Sequence, residues 1–148
     1  MVNLKIFYTF IRVLYYSLSI KAINPLLDIE LYRGSKIKKD ELNYIDNSLK
    51  NKKEDLPGCI CFNKAFLSSS SDKNIAIGFM LESQIDLDID NEVLVLFIFK
   101  KGNKIDEKYA SNSNIENIAD LTYEKETLFF PFSCFEILKK KKKNIIII

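Results

Sequence analysis

Glu124-Lys125-Glu126-Thr127-Leu128-Phe129-Phe130-Pro131 sets two glutamates one residue apart immediately ahead of an apolar run. Thr127 to Pro131 has the make-up of a short strand, and Ser133 to Leu138 that of a second one, with Pro131 between them. Side chains two apart in an extended segment share a face, so Glu124 and Glu126 are expected to reach one pocket while Lys125 points away. Taken alone, such a pair is usually two solvated carboxylates, and its meaning depends on what else the chain brings near it.

Upstream, Glu92 to Phe99 is the clearest buried strand, an unbroken apolar run of Val, Leu, Phe and Ile after Glu92. Cys59 to Leu67 is strand-like and is followed by four serines, Ser68 to Ser71. Asp72 to Leu81 reads as a helix with Asp72 as its N-cap. Glu30 to Arg33 is a short strand ending at Gly34, and Ser35 to Lys50 returns to helical spacing through Ile37, Leu42, Ile45 and Leu49. Lys50 to Pro57, Ser83 to Asn91, Lys100 to Lys108 and Ala110 to Thr122 are expected as loops, the last with a short turn of helix. Helices and loops alternate with strands without a regular βαβ rhythm, which points to an α+β fold.

The two ends differ from this middle. Residues 1–27 are largely apolar, with Leu4, Phe7, Ile11, Leu14 and Leu18 at helical spacing and Arg12 interrupting the run. They are expected to form an amphipathic helix region packed on the domain. A cytoplasmic protein follows from that reading, and membrane association is not expected; the alternative is a secreted or membrane-associated protein held through this apolar segment. Lys139 to Lys143 are five lysines, followed by Asn144 and four isoleucines. This low-complexity Lys/Ile tail, 139–148, is expected to lie outside the fold, leaving 1–138 as one domain.

Composition narrows the chemistry. The 148 residues hold no histidine, which removes Ser-His-Asp and Cys-His nucleophile machinery and histidine-ligated metal sites. Cys59, Cys61 and Cys134 are odd in number and lack a C-x-x-C, so no zinc site or disulfide framework is expected; free thiols packed as small hydrophobes in a reducing compartment are. The net charge is +2, with Lys and Arg dispersed until the tail, so no nucleic-acid partner is expected. Acid-base chemistry, if any, falls to carboxylates, Lys, Tyr or Cys.

Three pieces then stand out in order. They are Leu31-Tyr32-Arg33-Gly34, Phe66-Leu67-Ser68-Ser69-Ser70, and the Glu124-to-Pro131 stretch. Their order resembles the arginine-specific mono-ADP-ribosyltransferase family, whose pattern is R, then S-x-S, then E-x-E. The resemblance covers about Phe10 to Ile137, and includes Lys64-Ala65 ahead of Phe66. The absence of histidine fits this class rather than the diphtheria-toxin-like class with its His-Tyr-Glu set. The family often has threonine or an aromatic where this chain has Ser69.

The resemblance implies two small, mostly antiparallel sheets around an NAD+ cleft with flanking helices. It also implies transfer of ADP-ribose from NAD+, used as a substrate, to an arginine of an acceptor protein, with no metal. Arg33 would hold the pyrophosphate and Gly34 the nicotinamide carboxamide, its missing side chain allowing close approach. Ser68 would bond the nicotinamide ribose and orient Glu126, with Ser70 in support. Glu126 would stabilise the oxocarbenium-like ribose, and Glu124 would take the proton of the acceptor arginine. An NAD+ glycohydrolase on the same fold, or an inactive nucleotide- or peptide-binding module, are the alternatives.

Overall fold

The computed structural model describes residues 9, 12, 13, 16, 29–52, 59–100, 112–116, 121–141 and 144–148. Thr9, Arg12, Val13 and Tyr16 are helical; the apolar positions on which the N-terminal amphipathic helix was reasoned lie outside the described residues.

The chain is α+β. In order come β1 (Leu31–Lys38), α1 (Lys39–Lys50), β2 (Cys59–Phe62), β3 (Leu67–Ser70), α2 (Lys73–Glu82), β4 (Glu92–Phe99), β5 (Asn112–Asn114), a 3-10 turn (Thr122–Glu124), β6 (Glu126–Phe129), β7 (Cys134–Ile137), β8 (Lys139–Lys141) and β9 (Ile145–Ile147). Seven strands form one sheet in the order β5-β6-β3-β1-β4-β9-β8, and β2 with β7 form a second. All pairings are antiparallel except β4 with β9. The two sheets are therefore unequal in size.

The core lies between them. Leu31, Val95, Phe99 and Phe129 from the large sheet meet Leu42 and Ile45 of α1 and Cys59 and Ile137 of the small sheet. Phe99, Phe129 and Phe135 bind the sheets together, with ring centroids 4.8, 5.3 and 5.1 Å apart, within the range of favourable aromatic pairs. Cys59 and Cys61 belong to this core, whereas Cys134 is exposed; all three thiols are free.

Several boundaries differ from the sequence expectation. β1 does not stop at Gly34 but continues to Lys38, because all eight residues pair with β4, from Leu31↔Phe99 to Lys38↔Glu92. The helix expected from Ser35 therefore starts at Lys39, where the Lys38 backbone N–H donates to Glu41 Oε2 at 3.0 Å and Asp40 and Glu41 stand in the first turn. The single strand expected over Cys59 to Leu67 is two strands in different sheets. Asn63 turns the chain between them, its Nδ2 donating to the carbonyl of Phe130 at 2.8 Å. Three residues of the loop expected over Ala110 to Thr122 form the edge strand β5.

The largest correction concerns the tail. β9 pairs in parallel with β4, Phe97↔Ile146 at its centre, and Ile146 is fully buried. β8 forms the outer edge, where Lys140 pairs with Asp46 of α1 at 2.5 Å. Asn144, at φ 56°, makes the left-handed turn between them. Repetition disguised an ordinary signal: a short run of β-branched residues after a turn residue makes a buried strand. Lysines suit an edge strand because they oppose further pairing.

Replacing Ile146 with Ala is accordingly expected to remove about 2–5 kcal/mol of stability, the range for emptying a buried aliphatic site. Urea unfolding monitored by far-UV circular dichroism checks this. An unchanged midpoint would return the isoleucine run to the status of a loose end.

Candidate active site

β1 and β3 are neighbours, yet they share a single paired position, Tyr32↔Ser70. Beyond it the strands diverge, and the gap is bridged by a side chain. Arg33 Nη1 donates to the carbonyl oxygen of Ser68 at 2.7 Å. Around this split lies a cleft of 450 Å3, within the span of about 300–1,000 Å3 usual for small-molecule sites. Arg33, Gly34, Ser68, Ser70, Glu124 and Glu126, the six residues singled out in the sequence, all line it.

Each is placed by a different local cause. Arg33 sits in the long β1–β4 ladder, opposite Phe97. Arg33 is partly buried, and desolvation pushes its pKa down from the ordinary arginine value. No carboxylate pairs with it among the described residues. Of its five N–H donors, one is engaged among the described residues, by the Ser68 carbonyl.

Gly34 serves the fold in a way its strand-end reading did not anticipate. A Cβ built on it would stand 2.0 Å from the Ala76 carbonyl oxygen and 2.6 Å from Met80 Cβ. The room that glycine leaves is filled by α2, which packs directly on β1. Helix α2 starts where expected: Asp72 is its N-cap, with Oδ1 accepting from the Asn74 N–H at 2.9 Å. That hydrogen bond and the Lys125 ammonium hold the Asp72 carboxyl below its usual range.

Ser68, Ser69 and Ser70 lie within β3 rather than after it, and Ser71 follows it. The Ser68 hydroxyl has no partner among the described residues. Ser69 is buried and donates to the Thr127 carbonyl at 2.9 Å. Ser70, also buried, donates to the Glu124 carbonyl at 2.6 Å and accepts from the Asp72 N–H at 3.0 Å.

The two glutamates are not in one extended segment. Glu124 ends the 3-10 turn, Lys125 is left-handed at φ 48° and ψ 49°, and Glu126 opens β6 opposite Ser70. Both carboxylates still line the cleft, placed there by a turn rather than by strand alternation. A left-handed lysine costs on the order of 1 kcal/mol, so the surroundings must hold it. Besides the Ser70 bond, the Ser71 N–H donates to the Lys125 carbonyl at 3.3 Å, and Lys125 Nζ pairs with Asp72 Oδ2 at 3.3 Å.

The sequence reading missed the wall formed by α2. Ala76, Phe79, Glu82 and Ser83 also line the cleft. Their spacing of three and four residues puts them on one helix face, a pattern visible in the sequence. What gave no sign there was that this face would turn toward the serines.

No family model and no curated protein matches the sequence. Solved structures do match. One is the Vis toxin, an ADP-ribosyltransferase from Vibrio splendidus, at TM-score 0.62 and 23% identity over 95% of this chain and 54% of that one. Another is the Vis ADP-ribosyltransferase in complex with agmatine, at TM-score 0.65 and 22% identity, with the same coverage of 95% and 54%. The chain therefore has the ADP-ribosyltransferase fold, and it spans about half the length of the structures it matches. Among the described residues no helix is long and apolar enough to cross a membrane, and no group of three His, Cys, Asp or Glu is placed to hold a metal ion.

Gly34→Ala is expected to destabilise the protein by about 1–3 kcal/mol or more, the cost of overpacking against unyielding backbone. The shift in denaturant midpoint measures it. A midpoint equal to that of the parent would show that α2 has freedom to move away from β1.

Proposed function

We propose that this chain transfers ADP-ribose from NAD+ to an arginine side chain of an acceptor protein. The observation that carries the reading is that one cleft gathers Arg33, Ser68, Glu124 and Glu126 from three separate parts of the chain. The fold shared with an ADP-ribosyltransferase supports the reaction class. One of the matching structures is a complex with agmatine, which carries the guanidinium group of an arginine side chain; that supports the acceptor chemistry.

On this reading the open donors of Arg33 take the pyrophosphate of NAD+, while the Ser68 hydroxyl and the cleft-lining part of Gly34 take the nicotinamide ribonucleoside. Ser70 contributes by holding the turn that carries Glu124. The bond between ribose C1′ and the nicotinamide nitrogen breaks, and its electron pair leaves with nicotinamide. Positive charge builds on the ribose, and the Glu126 carboxylate, fixed by the β3–β6 ladder, stabilises it. A guanidinium nitrogen of the acceptor forms the new bond to C1′ and loses its proton to Glu124. An arginine is fully protonated at neutral pH, with a pKa above about 12, so a carboxylate beside it both holds the cation and accepts the proton as it reacts.

Two substitutions test the assignment. Glu126→Gln is expected to lower nicotinamide release by ~10²-fold or more while the protein stays folded, the scale of losing one electrostatic stabiliser. Release near the parent rate would sink that role. Glu124→Gln should separate two signals measured in one reaction. Label transferred from NAD+ to polyarginine should fall steeply, while slow release of free nicotinamide continues. Equal loss of both would mean that Glu124 serves NAD+ binding or the cleft itself, and retained transfer would point to another acceptor.

A further inference from the structure

The β3–β6 register runs Leu67↔Phe129, Ser68↔Leu128, Ser69↔Thr127, Ser70↔Glu126. Continued two residues further, it would set Glu124 opposite Asp72. Like charges directly across a ladder repel, and Asp72 cannot easily yield: its side chain caps α2 and its N–H is bound to Ser70 Oγ at 3.0 Å. The ladder in fact stops. Lys125 takes a left-handed conformation that lysine ordinarily avoids, and its Nζ lies 3.3 Å from Asp72 Oδ2. A cation thus stands beside Asp72, and Glu124 turns instead toward the cleft.

We infer that Lys125 is a positioning residue: paired with Asp72, it holds the turn that aims Glu124 into the cleft, while Glu126 is held independently by the sheet. The inference rests on the acceptor role given to Glu124 above. It divides the two carboxylates by what places them. Glu126 has strand partners on β3. Among the described residues Glu124 is held by the turn, with Ser70 Oγ on its own carbonyl, the Ser71 N–H on the next one, and the Lys125–Asp72 pair. Loss of the pair should therefore disturb Glu124 and spare Glu126, so that the choice of acceptor changes more than the cleavage of NAD+.

Four variants separate conformation from charge. Lys125→Met removes the cation. Asp72→Ser removes the anion but keeps an N-capping side chain. Lys125→Arg keeps the charge. Lys125→Gly removes the charge but adopts the left-handed conformation freely. Two quantities are measured on each: the ratio of polyarginine labelling to nicotinamide released into hydrolysis, and the hydrogen-exchange rate of the Ser71 amide, which reports the turn without any turnover. Lys125→Met and Asp72→Ser are expected to lower the ratio about fivefold, the scale of one exposed ion pair, and to speed exchange of the Ser71 amide. Lys125→Arg and Lys125→Gly should stay near the parent in both. A Lys125→Met protein with parental ratio and parental exchange overturns the inference. So does a loss of transfer and hydrolysis in equal measure, which is what mere structural support would give. If the parent itself releases no nicotinamide, the enzymatic reading fails, and Ser71 exchange across the four variants still decides whether the pair holds the turn.

Discussion

Arg33 and the carbonyl of Ser68 make the contact on which the cleft depends. Two neighbouring strands of one sheet would ordinarily close their ladder along their shared length. Here β1 and β3 meet at Tyr32↔Ser70 and then part, and the guanidinium stands where further backbone pairing would be. Among the described residues this hydrogen bond is the side-chain link across the gap. A partly buried cation without an acidic partner among the described residues carries a desolvation cost.

The elements around the split are each tied to others. On one side β1 is locked to β4 along eight residues, and β4 is locked in turn to β9. On the other side β3 is tied to β6, and the Phe99, Phe129 and Phe135 rings anchor both halves to the small sheet. Across the top, α2 presses on Gly34 closely enough to exclude even a methyl group. Its cap residue Asp72 reaches the turn that carries the glutamates. The acidic and the basic parts of the cleft are thereby connected through one short segment, Ser68 to Asp72.

Much of this was legible in the sequence, and the failures have identifiable causes. The strands β4, β6 and β7, the capped helix at Asp72 and the α+β class follow from periodicity and turn residues, which act locally. Gly34 misled because a glycine after a short strand-like run looks like a strand end, whereas here it marks the approach of a helix from elsewhere in the chain. The Glu-Lys-Glu segment looked extended because alternation was its only local signal, and Lys125 adopts its left-handed conformation under the influence of residues more than fifty positions away. The lysine and isoleucine run looked featureless because repetition hides alternation, and its partner, β4, lies some fifty residues upstream.

The sequence by itself determined which chemistry was open: without histidine, acid-base work fell to carboxylates, Lys, Tyr or Cys, and the order of an arginine, the serines and two glutamates along the chain carried the resemblance to a family. It also determined where the apolar stretches could become strands. Only the tertiary structure decided that the six residues share one cleft, that α2 supplies its wall, that Ser70 turns its hydroxyl to the Glu124 carbonyl rather than leaving it free, and that the last isoleucines are core. The physical reason is range. Propensity and periodicity act over a few residues, while the cleft is made by the failure of two strands to pair, a property that belongs to neither strand alone.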